Sequence, residues 1–543
     1  MVDSRRVSHR WLVFALLLTL PLIRMLLRAD YGFFHIEVAI ALTAAAAAAL
    51  LPALISRARW QFHLSIALII VTTSANALQN DLLPEFRLRW ILATLLIGTA
   101  AAIYFFREKF ATIILVFLAG SFLVDLSSSI FKRASAPSTS FAATGVPRHH
   151  VIHIIFDEML GIGAMPADCA SCVSAAREIE EILVRHKFRI FPNAYSNYRE
   201  TRDSIPSILN DRLLERTAMY FPPGKSGTPY LRENSYFDRY LARNYAIRAY
   251  QSDYIVYSSP KYPSVVARTY EANALQALHS LDIDWSARLR QILVIYLRSD
   301  LFWWDIWTHV TPARLHFEHL MVGPLALQEV WPSGILQDVR AATQNTLFFA
   351  HLLTPHYPYV YRNDGSVRRP EEWRTQNRLE FEDTDAEAYR NRYELYGDQV
   401  RFLSRQIGDL LDGLKSLGQL ESSTIILHGD HGSRLRLLNS SERKGRAMLA
   451  TTPYAHRNNQ YDYVSEPPER DLLNRFATLL AIKQPHADSP EIVTEKSSVL
   501  RFLRKYGISE GDPDEPGINS AYLFDAKGTP REIPMTRIWR SGL

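Results

Sequence analysis

Five long apolar runs in the first quarter of the chain constrain its fold more than any other feature. They are Trp11–Leu27 (interrupted only by Arg24), Val38–Ile55, Phe62–Leu78, Trp90–Phe106 and Phe110–Val124. A helix crosses the hydrocarbon core of a bilayer with about 20 apolar residues, and about 17 suffice. We therefore predict a transmembrane domain of about five helices over residues 1–131. The alternative is a cleaved signal peptide followed by four spans.

The charges of the chain divide at the same boundary. Residues 1–131 hold 11 basic and 7 acidic residues, whereas the rest holds 50 basic and 49 acidic ones. Of the total net charge of +5, the first part therefore carries +4. Because the larger part is almost neutral, it lacks the basic surface that nucleic-acid binding requires, and we expect no nucleic-acid partner.

The loops between the apolar runs indicate their orientation. With the N-terminus inside, seven basic residues lie in the inner segments and four in the outer ones, a weak positive-inside bias. Five spans then place everything after residue 131 outside the cytoplasm. Four spans would place it on the side of the N-terminus.

Residues 132–150 are rich in small residues and proline and show no apolar period, which indicates a linker. Three short apolar runs beyond it predict buried parallel strands: Val151–Phe156, Leu347–Leu353 and Thr424–Leu427. A 3-4-3-4 spacing predicts one long helix that Gly418 ends. Its buried positions are Tyr393, Tyr396, Val400, Leu403, Ile407, Leu410, Leu414 and Leu417. Alternating strands and helices predict a doubly wound α/β sheet, which binds ligands at the carboxyl ends of its strands.

Metal-binding side chains follow two of these strands. Asp157 and Glu158 end the first, and Asp430 and His431 follow the third. Carboxylate and imidazole ligands together suit Zn²⁺ or Mn²⁺. The alternatives are a solvated acidic loop at the first position and a turn with an N-cap aspartate at the second.

Two further segments are candidates for chemistry. Glu200–Leu209 has the pattern of a loop entering a helix, and taken by itself the segment favours the alternative, an ordinary helix cap. His356 stands between Pro355 and Pro358, which hold it in a rigid turn. A structural loop histidine is the alternative there.

The order of these motifs resembles the alkaline phosphatase and sulfatase superfamily. An acidic residue after the first strand is followed by T-x-x-S-x-P at 201–206, H-x-P at 356–358 and D-H-G at 430–432. The preceding membrane helices narrow the resemblance to the membrane-anchored phosphoethanolamine transferases of Gram-negative bacteria and the lipoteichoic acid synthases. The resemblance implies a multi-pass protein of the bacterial inner membrane, with residues 151–543 as a sulfatase-like catalytic domain in the periplasm.

The resemblance also implies roles for individual residues. Thr201 matches the nucleophile, and one or two divalent ions, Zn²⁺ before Mn²⁺, are expected at Glu158, Asp157, Thr201, Asp430 and His431. His356 matches the substrate-binding histidine, and Arg202 is a weaker candidate for the same task.

The implied reaction is transfer of a phospho-headgroup, of phosphoethanolamine or phosphoglycerol type, from a membrane phospholipid to an envelope glycan or lipid. It would proceed through a phospho-threonine. The alternatives are a sulfatase-like or phosphodiester hydrolase that uses water, and a non-catalytic membrane protein that keeps the fold. The five motif residues together argue against the last. The sequence argues against a formylglycine sulfatase, which needs a Cys or Ser at the nucleophile position, where this chain has Thr201.

The two cysteines, Cys169 and Cys172, have C-x-x-C spacing. Outside the cytoplasm we expect a disulfide; free thiols are the alternative, and zinc would need two further ligands. The phosphoethanolamine transferases usually carry several disulfides, so the chain departs from them here. Trp303, Trp304 and Trp307 are candidates for contact with the bilayer interface, with core packing as the alternative.

Overall fold

A computed structural model describes the chain in two compact units. The described residues are 4–29, 31–55, 61–62, 65–66, 94, 97–99, 101, 103, 105, 109, 148–216, 219–221, 230–258, 261–270, 275–299, 323–373, 386–433, 435, 469–524, 529–534 and 538. The first unit comprises Met1–Ser140, Pro223–Gly227 and Asn273–Val322, and the second comprises the remainder.

The helices, in chain order, are α1 Ser4–Arg28, α2 Ile36–Ala48, α3 Leu50–Ile55, α4 Ala170–Arg185, α5 Thr201–Asn210, α6 Ser235–Ala242, α7 Trp285–Ser299, α8 Gly323–Ala326, α9 Ser333–Ala341, α10 Ala386–Ser416, α11 Glu469–Phe476 and α12 Val499–Lys505. The strands are β1 Val151–Asp157, β2 Arg189–Ile190, β3 Ala194–Tyr195, β4 Ala246–Ser252, β5 Val266–Tyr270, β6 Thr346–Pro355, β7 Thr424–Gly429, β8 Leu480–Lys483, β9 Glu491–Ile492, β10 Ser497–Ser498, β11 Ser520–Phe524 and β12 Pro530–Pro534.

The first unit contains two segments that are long and apolar enough to cross a membrane, Arg10–Leu27 in α1 and Ile36–Ile55 in α2 and α3. Five spans were predicted, and the described residues show these two. The other three runs fall mostly outside the described residues, as do the three tryptophans at 303–307.

Helix α7 also belongs to the first unit, although it comes from the middle of the sequence. Nε of Arg288 lies 3.0 Å from Oε1 of the buried Glu37 on α2. The same oxygen accepts a hydrogen bond from the hydroxyl of Tyr31 at 2.8 Å. His279 stacks on the Tyr31 ring with 4.5 Å between centroids. Residues 275–299 are therefore joined to the end of α1 and the start of α2 by a buried ion pair and stacked rings.

The second unit is built on an eight-stranded sheet with the order β5-β4-β6-β1-β7-β8-β2-β9. The central strands β4, β6, β1 and β7 are parallel to one another, which confirms the predicted α/β sheet. The sheet is mixed, however, because β8 runs antiparallel to both β7 and β2. Strand β8 begins soon after α11 ends, and β2 is only two residues long. Neither strand therefore shows an alternating apolar pattern that could be detected in the sequence.

Side chains of the central strands alternate between two layers of helices. Val151 and Ile155 on β1 share a core with residues of α5, α6 and α12. Phe156, on the opposite face, packs edge-on against Trp331, before α9. The predicted long helix is confirmed as α10, and its predicted apolar positions from Tyr393 to Leu414 are buried. The half-buried Leu417 and then Gly418, at φ 68°, follow the end of the helix at Ser416.

The start of α4 is held against α10. Both carboxylate oxygens of Glu394 accept hydrogen bonds from backbone N–H groups, those of Ala170 and Ser171, at 2.8 and 2.9 Å. The N-cap residue Cys169 is joined to Cys172 by a disulfide. A carboxylate at a helix N-terminus stabilises the unpaired N–H groups and the helix dipole.

Gly397 on α10 permits this close approach. A Cβ atom there would lie 2.6 Å from the carbonyl carbon of Ser171, which is backbone and cannot yield. We expect Gly397→Ala to lower the free energy of unfolding by about 1–3 kcal/mol, as overpacking does. Gly408→Ala on the same helix is the control, because its Cβ would lie 3.7 Å from Ile182 Cδ1. That change should stabilise by about 0.5–1 kcal/mol, and equal melting temperatures for the two variants would contradict the contact.

Candidate active site

The candidate site lies where three neighbouring parallel strands end. β1 ends at Asp157, with Glu158 next, and β7 is followed by Asp430 and His431. All four residues are buried, with at most 2% of any of them exposed. Buried carboxylates are retained in a fold only when charged or hydrogen-bonding partners compensate for their desolvation.

Thr201, the first residue of α5, places its hydroxyl at this strand edge. Its Oγ1 lies 3.2 Å from Nε2 of His431 and 3.5 Å from Oδ1 of Asp157. Nε2 of His431 is in turn 3.4 Å from Oδ2 of Asp430. The structure thus brings Thr201, Asp157, Asp430 and His431 into one group. The dipole of α5 favours negative charge at this end of the helix.

The ring of His431 is fixed by a hydrogen bond from Nδ1–H to the carbonyl oxygen of Gly432 at 2.7 Å. A carbonyl oxygen can only accept, so a proton is assigned to Nδ1, and Nε2 is the nitrogen that faces Thr201 and the two aspartates. An imidazole nitrogen held in this way is placed to bind a metal ion or to exchange a proton.

Asp430 is held ionised by its surroundings. Burial alone would raise its pKa, but His431, His351 and the hydrogen bonds to its carboxylate outweigh burial and lower the pKa. Its Oδ1 accepts the backbone N–H groups of His431 and Glu158, at 2.8 and 3.1 Å. The carboxylate is therefore both charged and fixed in direction.

Glu158 and His356 form a second pair beside this group. Oε1 of Glu158 is 3.7 Å from Nε2 of His356, whose Nδ1–H donates to the carbonyl oxygen of Tyr357 at 2.6 Å. The backbone of Glu158 has φ 62°, a left-handed conformation that is uncommon for glutamate. Strain of this kind clusters at functional sites, because it directs a side chain that regular backbone would turn elsewhere.

The guanidinium of Arg202 lies over the ring of Tyr254, with Cζ 5.6 Å from the ring centroid. Its Nε is buried and makes no hydrogen bond to the described residues. An arginine with a buried donor is suited to an anionic ligand.

His351 on β6 is a member of the site that the sequence reasoning missed. One ligand atom from each of Asp157, His351 and Asp430 lies within 4.8 Å of the others. The ring of Tyr257 stands edge-on to His351, with 6.1 Å between centroids. The signal was a histidine inside the apolar run LFFAHLL, two residues from the end of the predicted strand.

The donors present fit the divalent cation that was predicted. Carboxylate oxygens and neutral imidazole nitrogens are the ligands that Zn²⁺ takes in proteins, and they converge here in a buried site. The buried ring of His351 makes no hydrogen bond through either nitrogen within the described residues, which leaves it available as a ligand.

The site thus places a threonine hydroxyl at a helix N-terminus beside carboxylates and imidazoles, which are residue types that hold divalent metal ions. The profile of the sulfatase family matches residues 173–461, more than half of the chain. The protein belongs to the sulfatase family, which confirms the predicted superfamily. No curated protein sequence matches the chain.

Several solved structures resemble the chain at low similarity. The phosphonate monoester hydrolase of Agrobacterium radiobacter is 12% identical, with a TM-score of 0.40 over 70% of this chain and 82% of that one. The periplasmic domain of EcEptC from Escherichia coli, in complex with Zn, is 12% identical, with a TM-score of 0.38 over 72% and 93%. The lipoteichoic acid synthase LtaP from Listeria monocytogenes is 11% identical, with a TM-score of 0.35 over 69% and 78%. Scores this low have no bearing on activity.

Proposed function

We propose that this protein is a membrane-anchored, metal-dependent phosphotransferase. It takes a phospho-headgroup, of phosphoethanolamine or phosphoglycerol type, from a membrane phospholipid and passes it to an envelope glycan or lipid. The observation that carries the proposal is the position of Thr201, whose buried hydroxyl lies at the start of α5, 3.2 Å from Nε2 of His431. The absence of cysteine from this position favours a threonine ester over formylglycine chemistry.

The chemistry takes two balanced steps. Thr201 Oγ1 bonds to phosphorus while the bond from phosphorus to the diacylglycerol oxygen breaks, and that oxygen gains a proton as Thr201 loses one. An acceptor hydroxyl then bonds to phosphorus, the bond to Oγ1 breaks, and Thr201 regains its proton. A divalent cation, when bound, lowers the pKa of the threonine hydroxyl and neutralises phosphoryl charge.

The chain's own residues have separate tasks in this proposal. Glu158, Asp157, Thr201, Asp430 and His431 are the proposed ligand set, for one or two ions. The dipole of α5 stabilises the charge on Oγ1. His356 and Arg202 contact the phosphoryl oxygens, where negative charge must be stabilised during transfer.

We further propose that the protein lies in the bacterial inner membrane, with the sulfatase domain in the periplasm. Tyr31 follows the C-terminal end of α1 and stacks on His279. If α1 spans the bilayer, residue 279 lies on the opposite side from the N-terminus. With the N-terminus inside, the chain around residue 279 is then periplasmic, and its tether keeps the enzyme close to a lipid donor.

The test is to trap the proposed intermediate. Full-length protein in lipid nanodiscs is incubated with phosphatidylethanolamine or phosphatidylglycerol, each labelled in the headgroup, and the Thr201 peptide is analysed by mass spectrometry. We expect the peptide to gain the mass of one phospho-headgroup, and the lipid that provides it identifies the donor. No adduct with either lipid would contradict the proposal.

A hydrolase that uses water remains the second candidate, because the family match is to sulfatases. It shares the first step, so the adduct alone does not separate the two. Transfer of label to added envelope glycan or lipid supports the transferase. Release of the labelled headgroup into water, with no acceptor labelled, identifies the hydrolase.

A further inference from the structure

Three histidines occupy three adjacent strands beneath the site: His153 on β1, His351 on β6 and His428 on β7. All three are completely buried. Buried imidazoles are normally retained with partners on their ring nitrogens, since an unpaired polar atom loses its hydration without replacement. The partners of these three histidines therefore indicate what each one does.

Two of the histidines are fully used in hydrogen bonds. Nε2 of His153 lies 2.8 Å from Nε2 of His428. Nδ1 of His153 is 2.8 Å from the hydroxyl of Tyr236, and Nδ1 of His428 is 2.8 Å from the carbonyl oxygen of Gly429. The two rings thus form a chain from a tyrosine to the backbone, which accounts for their burial.

His351 differs from both. Neither Nδ1 nor Nε2 makes a hydrogen bond to the described part of the chain. One of its nitrogens instead lies within 4.8 Å of carboxylate oxygens from both Asp157 and Asp430. A cation bound between this nitrogen and the two carboxylates would be a shared partner for all three groups.

We propose that His351 is a further ligand of the divalent cation at the Thr201 site, and that it makes the site selective for Zn²⁺. The inference rests on the proposed metal dependence. Carboxylates alone suit Mg²⁺, Ca²⁺ and Mn²⁺, whereas imidazole nitrogen favours Zn²⁺. His431 supplies one nitrogen, and His351, from a different strand, supplies the second.

The test is zinc binding by full-length protein in detergent, measured with a competing chelator and by elemental analysis. We expect His351→Leu to weaken zinc binding by at least about 100-fold, more than the loss of an outer-shell partner does. Binding of Mg²⁺ and Mn²⁺ should change less, so the preference for zinc falls. Zinc bound by His351→Leu with wild-type affinity and selectivity would overturn the proposal.

A stability measurement separates loss of a ligand from loss of the fold. Leucine is similar in size and removes two polar atoms that lack partners, so metal-free His351→Leu should melt no lower than the metal-free wild type. Its melting temperature should no longer rise on addition of zinc. The control is His153→Leu, which breaks the bonds to Tyr236 and His428. It should melt lower, yet bind zinc as the wild type does.

The outcomes also distinguish this inference from the proposed function. If the wild type binds zinc, His351→Leu does not, and no adduct forms on Thr201, the ligand assignment stands and the phosphotransferase proposal fails. If the adduct forms and His351→Leu keeps its zinc, the phosphotransferase proposal stands and the ligand assignment fails. A wild type that binds no divalent metal would overturn both.

Discussion

Replacing Thr201 by alanine is expected to abolish the covalent adduct and to reduce headgroup transfer by about 10³-fold or more, as removal of a nucleophile does. Its hydroxyl is the nucleophilic oxygen in the group formed with Asp157 and His431. Mass spectrometry of the 201 peptide measures the adduct, and transfer of the labelled headgroup from the lipid to the acceptor measures the rate.

Thr201→Ser is the matched variant, since it keeps the hydroxyl and removes one methyl group. We expect it to retain the adduct at a reduced rate. Both variants should unfold at nearly the wild-type temperature, because the hydrogen bonds of this hydroxyl are long. An adduct that still forms in Thr201→Ala would show that a different residue is the nucleophile.

The second large effect concerns Asp157, whose substitution by asparagine is expected to weaken metal binding by more than about 100-fold, beyond the effect of an outer-shell change. Its Oδ1 lies 3.5 Å from Thr201 Oγ1 and 3.7 Å from His431 Nε2. Asparagine keeps the shape and removes the charge. Elemental analysis of purified protein provides the measurement.

Glu158→Gln is the comparison that makes this result informative. Resemblance to the superfamily gives Glu158 the main ligand role, whereas in the structure its carboxylate lies beside His356. The substitution leaves the backbone hydrogen bond to Asp430 in place. We expect a smaller loss than in Asp157→Asn, of about 10- to 100-fold, because the carboxylate of Glu158 faces His356 and is the more peripheral member of the proposed ligand set. A greater loss in Glu158→Gln than in Asp157→Asn would reverse the assignment.

Sequence patterns predicted the parts of this fold that local periodicity specifies. Strands β1, β6 and β7 are almost unbroken apolar runs, and α10 has one apolar face, so each could be identified from its own residues. The motif residues could be placed because the carboxyl ends of parallel strands meet at one edge. The antiparallel β8 and the two-residue strands β2 and β9 have no period to detect.

Other parts depend on contacts between distant residues, which no local pattern contains. His351 was concealed by the apolar residues around it. The last 58 residues held no motif, yet the β11–β12 hairpin supports the segment before Thr201: the Tyr522 N–H donates to the carbonyl oxygen of Asn197 at 2.7 Å. The pairing of Glu37 with Arg288 joins residues 251 positions apart.

That ion pair bears on how a water-soluble fragment of this protein should be designed. A fragment beginning at residue 148 would deprive Arg288 of Glu37 and deprive α7, with its buried Ile292 and Val294, of its helical neighbours. Exposed apolar surface of this kind promotes aggregation. Replacing Asn273–Val322 with a glycine-serine linker removes α7 and keeps all the strands of the sheet. The better-behaved fragment is therefore the shorter one, with an internal deletion as well as an N-terminal truncation.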